Sequence, residues 1–176
     1  MLKYICWDLT TLKKGIKNNR LFYEIYSGKK NNKNIMSTFE NYEALVLSCI
    51  DPRFQDLVSK ETAKKGLTNK YSAFTFGGGS IGVVSPTFKK WHQTFWENLD
   101  ISVQLHNIKK VIVINHRDCG AAVAAYGAEK ISNKETETEI HKSSLIQFRN
   151  QLKIKHPKLV TELYLMDLDG SVISFD

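Results

Sequence analysis

The sequence predicts an α/β fold, a domain built on a mainly parallel sheet flanked by helices. Three observations predict it. Short apolar or aromatic runs suit buried strands at residues 44–48 (ALVLS), 71–76 (YSAFTF) and 111–115 (VIVIN). The segments between them carry helical spacing, clearest where Phe88, Trp91, Phe95 and Leu99 recur at three- and four-residue steps. Strand and helix therefore alternate along the chain, the order that builds a parallel sheet.

Taken in order, ALVLS is the first strand. Residues 54–65 suit a helix, and Gly66 is placed to end it. YSAFTF is the second strand. Residues 77–82 (GGGSIG) are expected to be a flexible loop. Pro86 suits the first turn of the next helix, which is expected to run to about His106 with Phe88, Trp91, Phe95 and Leu99 facing the core. VIVIN is the third strand. Residues 119–127 are small and alanine-rich, suiting a tightly packed helix. Residues 135–155 form a long polar helix with Ile140, Ser144, Phe148 and Leu152 along one side, and Pro157 ends it. Residues 163–166 make a last strand, and residues 167–170 (DLDG) a turn.

The net charge of +7 is localised. Residues 1–35 hold eight basic and two acidic side chains, so the remainder is nearly neutral. The stretch SGKKNNKN at 27–34 has the composition of a linker. Residues 1–35 are therefore expected to be a basic leader, and 36–176 the compact domain. Basicity confined to a leader is read as a solvated segment, with no nucleic-acid partner expected. No apolar run approaches the roughly 20 residues of a membrane span. Trp7, Asp8, Lys13 and Lys14 interrupt any signal-like core near the start. A cytoplasmic protein with no membrane partner is expected. Three cysteines, Cys6, Cys49 and Cys119, do not make a disulfide framework.

In open parallel sheets, ligands gather beyond the carboxyl ends of the strands. Cys49, Asp51 and Arg53 follow the first strand, the glycine loop follows the second, and His116 and Cys119 follow the third. Two thiolates and an imidazole are donors that zinc favours. No fourth Cys or His lies nearby at ligand spacing, which leaves a position open, as in catalytic sites. An arginine beside Asp51 keeps its carboxylate ionised and oriented. Such a carboxylate can accept a hydrogen bond from a zinc-bound hydroxide and turn its lone pair toward an electrophile.

Two motifs give these residues a family likeness. Cys49-Ile50-Asp51-Pro52-Arg53 resembles the first motif of the beta-class carbonic anhydrases, and His116-Arg117-Asp118-Cys119-Gly120 resembles the second. The resemblance spans about residues 39–173 and is nearest to a divergent bacterial branch of carbonic-anhydrase-like proteins. It implies a central four- or five-stranded sheet and a homodimer or a higher assembly of dimers. It implies reversible hydration of carbon dioxide to bicarbonate, with Cys49, His116 and Cys119 holding zinc and Asp51 and Arg53 as the orienting dyad. In some members the aspartate becomes a fourth zinc ligand, a role open to Asp51. The family's usual Arg-Asn-Ala-Gly-type segment is replaced here by Phe76 and GGGSIG. Backbone amides at Gly78, Gly79 and Ser80 are expected to approach a small substrate or anion.

Other readings remain beside this one. The same zinc could hydrolyse carbonyl sulfide or carbon disulfide, or stabilise a binding domain that has no turnover. GGGSIG also fits G-x-G-x-x-G, but Pro86 intervenes, and the ribose-binding acid would have to be Asp100 inside a helix. His92, His106, His141 and His156 lack partners at ligand spacing and are assigned to the surface or core.

Overall fold

The computed structural model describes residues 42–175. The expected leader, the domain start at residue 36 and Cys6 lie outside the described residues.

Five strands form one sheet in the order β2-β1-β3-β4-β5. They are β1 (Ala44–Ser48), β2 (Tyr71–Thr75), β3 (Lys110–His116), β4 (Val160–Met166) and β5 (Val172–Ser174). The first four run parallel, and β5 closes the edge antiparallel to β4. The helices are α1 (Pro52–Lys64), α2 (Ser80–Val84), α3 (Lys89–His106), α4 (Gly120–Tyr126), α5 (Ala128–Ser132) and α6 (Lys134–Lys155). A 3-10 turn, Pro86–Phe88, leads into α3. Among the described residues no helix is long and apolar enough to cross a membrane.

The central strands are buried on both faces, as parallel strands require. Alternation along each strand divides their side chains. Leu45, Leu47, Val111, Val113 and Leu163 join a cluster with Phe95, Leu99, Phe148 and Leu152 of α3 and α6. Ala44, Val46, Ile112, Ile114 and Met166 pack on the opposite face with Phe54 and Val58 of α1. Truncating a fully buried phenylalanine in such a core costs about 3–5 kcal/mol.

Local sequence explains the boundaries. Asp51 caps α1 by accepting the Arg53 N–H at 3.0 Å, and Pro52 occupies the first helical position. Gly66 takes a left-handed conformation at φ +71°, which stops the helix where the sequence placed its end. In the register, Ser48 aligns with Ile114 and His116 with Met166. The chain segments after β1 and β3 therefore leave the sheet side by side.

Two expectations are corrected, and two elements are added. GGGSIG is a turn only through Gly79, and Ser80–Val84 is helical because Ile81, Val83 and Val84 insert into the core. The stripe on α3 is Phe95, Trp96, Leu99 and Ser102. Phe88 lies in the 3-10 turn, and Trp91 is 40% exposed, with the two rings stacked at 4.3 Å. α5 forms where none was expected. Strand β5 also adds to the last strand, made by a hairpin turn at Asp167–Gly170 in which Gly170 N–H donates to the Asp167 carbonyl at 3.0 Å.

Candidate metal centre

Three buried side chains converge beyond the carboxyl ends of β1 and β3. Cys49 leaves β1, His116 is the last residue of β3, and Cys119 is the cap of α4. One donor atom from each lies within 4.8 Å of the other two. The two sulfurs are 4.0 Å apart. Among the described residues this is the one group of three Cys, His, Asp or Glu side chains arranged to hold a metal.

His116 is oriented for the task. Its Nδ1–H donates to the Arg117 carbonyl at 2.7 Å, which leaves the lone pair on Nε2. Nε2 is buried and has no hydrogen-bond partner. The ring stacks on Phe54 with centroids 4.0 Å apart, so it cannot swing away. A buried, partnerless nitrogen is costly unless something binds it. An imidazole lone pair beside two thiols is a donor set that fits zinc.

The thiols are electrostatically unequal. Hydrogen bonding from Cys119 lowers the Cys49 pKa to about 4, against the opposing effect of burial, with further help from the amides of Gly78 and Asp51. Cys119 is pushed well up by donating to Cys49 and by burial. The pair thus holds one thiolate readily, and a cation displaces the second proton.

Asp51 stands beside the cluster with both carboxylate oxygens bound to Arg53. Oδ1 accepts from Arg53 Nε at 3.1 Å, and Oδ2 accepts from Nη2 at 2.7 Å. These hydrogen bonds hold its pKa near 2, well below the usual carboxylate range. Arg53 also reaches the second motif. Nη1 donates to Asp118 Oδ2 at 2.7 Å, and Nη2 donates to the Asp118 carbonyl at 3.0 Å.

Of the glycine-loop residues expected to approach a substrate, Gly78 gives its N–H to Cys49 Sγ at 3.3 Å. Gly79 packs against Asn115, and Ser80 is fully buried with its N–H and hydroxyl bonded inside the protein. Gly78 thus bonds a sulfur of the cluster directly, while Gly79 and Ser80 meet Asn115. Ile81, Ala122 and Ile131 form an apolar wall in the same group as Cys49 and Cys119.

Several residues around the site were missed in the sequence. Asp118 is the middle residue of HRDCG. It adopts φ +54°, held by its N–H donating to Glu137 Oε1 at 2.6 Å. Glu137 is buried, and its Oε2 accepts from Arg117 Nη1 at 3.0 Å. Glu137 and His141 continue the Ser144, Phe148 and Leu152 face of α6 at helical spacing, and both are buried. Polar residues on a buried stripe were the available signal. Asn115, polar at the end of an apolar strand, was another.

Comparison with known proteins agrees with this geometry. A family model described as "Putative carbonic anhydrase" matches residues 39–159. An uncharacterized protein of Rickettsia bellii is 34% identical over 137 residues, covering 78% of this chain and 84% of that protein. An uncharacterized protein of Rickettsia conorii is 32% identical over 137 residues, covering 78% of this chain and 74% of that protein. Among solved structures, a tetrameric beta-carbonic anhydrase of Sordaria macrospora superposes with a TM-score of 0.54 at 14% identity, covering 94% of this chain and 97% of that one. The Coccomyxa beta-carbonic anhydrase, solved with acetazolamide, gives a TM-score of 0.53 at 15% identity, covering 97% and 87%. These structural likenesses show the shared fold, and the family match over most of the described domain adds the lineage: the chain belongs to this divergent carbonic-anhydrase family.

Proposed function

We propose that the protein is a zinc enzyme that reversibly hydrates carbon dioxide to bicarbonate. The observation that carries this reading is the buried, partnerless Nε2 of His116 facing two cysteine sulfurs in a chain of the carbonic-anhydrase family. Cys49, His116 and Cys119 would hold the zinc. Bound there, zinc would act as a Lewis acid on water and make it nucleophilic near neutral pH.

The remaining roles fall to the chain itself. Asp51, ionised and pinned by Arg53, accepts a hydrogen bond from the attacking water and so fixes the direction of its lone pair. Arg53 is held on its other side by Asp118, which keeps the carboxylate from rotating. Because Arg53 binds both oxygens of Asp51, the reading places Asp51 beside the metal and not on it. Ile81 and Ala122 exclude water from one side and suit a small apolar substrate. A homodimer or higher assembly is part of the proposal, supported by the tetrameric Sordaria relative of the same fold.

The test is stopped-flow carbon dioxide hydration by protein shown to carry one zinc per chain. Rapid turnover that disappears with zinc is expected. A zinc-loaded chain inactive across neutral and alkaline pH overturns the hydratase reading.

A further inference from the structure

Behind the cysteine and histidine donors lies a second group of buried polar side chains, made by Asn115, Ser80, Ser144 and His141. Their hydrogens can be assigned one after another. Ser144 Oγ gives its only proton to the His141 carbonyl at 2.8 Å. It must therefore accept from Ser80 Oγ, 2.9 Å away. Ser80 Oγ, its proton committed, accepts from Asn115 Nδ2 at 2.8 Å. The other Nδ2 proton points to His141 Nδ1 at 3.1 Å. Asn115 Oδ1 then accepts the Ser80 N–H at 3.0 Å. Nδ2 also reaches Ser144 Oγ at 3.3 Å; the nitrogen only donates and the oxygen only accepts, and a flipped amide would set donor against donor at the Ser80 N–H.

This locked amide touches the turn that reaches the metal donors. Gly79 has φ +55°, and a Cβ there would lie 2.6 Å from Asn115 Oδ1, so the turn closes directly on the amide. One residue earlier, Gly78 has φ +78° and donates its N–H to Cys49 Sγ at 3.3 Å. Asn115 is also the chain neighbour of His116. A short covalent and hydrogen-bonded path thus joins Asn115 to two of the three donors.

We propose that Asn115 is a positioning residue for the metal centre: through the Gly78–Ser80 turn it holds the Gly78 N–H on the Cys49 sulfur, and Ser80, Ser144 and His141 keep its amide from turning over. This inference rests on the metal reading of Cys49, His116 and Cys119, and does not depend on which reaction follows. An N–H donated to a metal-bound thiolate draws electron density from the sulfur and fixes its direction. Releasing that N–H raises the energy of the sulfur lone pairs. Charge transfer from sulfur to metal then needs less energy.

Cobalt(II) substituted for zinc reads this directly through its sulfur-to-cobalt absorption band. The wild-type chain is expected to show the band. In Asn115→Ala it moves to longer wavelength, and zinc affinity, measured by chelator competition, falls about tenfold. Ser144→Ala, which removes the acceptor for Ser80 Oγ, gives a smaller shift in the same direction. Ser102→Ala is the control: it deletes a buried hydroxyl bonded to Ser72 and should leave the band in place. An unchanged band and affinity in Asn115→Ala overturn the proposal. Should that variant not fold, an unchanged band and affinity in Ser144→Ala overturn it. A wild-type chain that takes up neither cobalt nor zinc overturns the metal reading, and this inference with it.

Discussion

Arg53 Nη1 lies 2.7 Å from Asp118 Oδ2, so the arginine of the first motif is gripped by the aspartate of the second. The same guanidinium holds Asp51 Oδ2 at 2.7 Å. One side chain therefore ties the loop of Cys49 to the loop of Cys119. Arg53 and Asp118 have side-chain exposures of 47% and 64%, so the ion pair itself adds little stability. Its consequence is orientation.

Asp118→Asn separates the two effects. Asparagine tolerates the left-handed backbone that Asp118 adopts, so strain does not enter. The charge on Arg53's outer partner is lost, and the Asp51 carboxylate gains freedom to rotate. Zinc content and the urea midpoint should stay near wild type, while kcat for hydration drops about tenfold, within the range of misoriented catalytic groups. A variant with wild-type kcat would show that Asp51 needs no second clamp.

Metal removal should appear first as lost stability. The buried Nε2 of His116 has no hydrogen-bond partner, and the two sulfurs beside it lie 4.0 Å apart. A ligand present at a thousand times its dissociation constant stabilises the folded state by about 4 kcal/mol. Chelation should lower Tm by several degrees, and readdition of zinc should restore it. Cys49→Ser should abolish the response to both. A Tm indifferent to chelator and zinc would contradict the metal assignment.

Much of this arrangement was legible in the sequence because it follows from short-range pattern. VIVIN and ALVLS are too apolar for any place but a buried parallel strand, and the strand ends then bring Cys49 and His116 together. The helix expected from residue 54 begins two residues earlier, at Pro52, because Asp51 caps it. Trp91 and Trp96 were harder, since both fit a stripe at helical spacing. The core took Trp96, stacked on Phe148 at 5.7 Å, because α6 packs there, and nothing local in the sequence says so. Glu137 was hidden for a similar reason. Its partners, the Asp118 N–H and Arg117, are about twenty residues away, and a glutamate on a polar helix looks solvated until those partners are seen.

Glycine substitutions test the turn beneath Cys49. Gly79→Ala forces a side chain into the left-handed region and against Asn115 Oδ1, at 2.6 Å from the new Cβ. A cost of about 2 kcal/mol or more is expected from strain and overpacking together. Gly120→Ala meets nothing within 4 Å and starts α4 at an ordinary φ. It should be neutral or stabilising by up to about 1 kcal/mol. Urea unfolding of the two variants checks the contrast, and equal midpoints would show that the turn relaxes freely.

His141 should make the fold acid-sensitive. It is fully buried, and burial, followed by the positive charge of nearby Arg117, holds its pKa at about 3 against an ordinary 6.5. The unfolded ring gains a proton as pH falls below about 6.5, while the folded ring stays neutral until about pH 3. Its contribution is complete above pH 6.5 and is lost progressively as pH falls toward 3, at about 1.4 kcal/mol per pH unit. His141→Gln removes the titration and keeps an acceptor for Asn115 Nδ2. Between pH 7 and pH 5 the wild type should lose about 2 kcal/mol more than this variant in urea unfolding. Both proteins are measured in the same excess of zinc, so protonation of the metal-binding side chains enters each alike. Equal losses would mean that His141 finds a partner for its proton inside the fold, and that acid acts on the chain elsewhere.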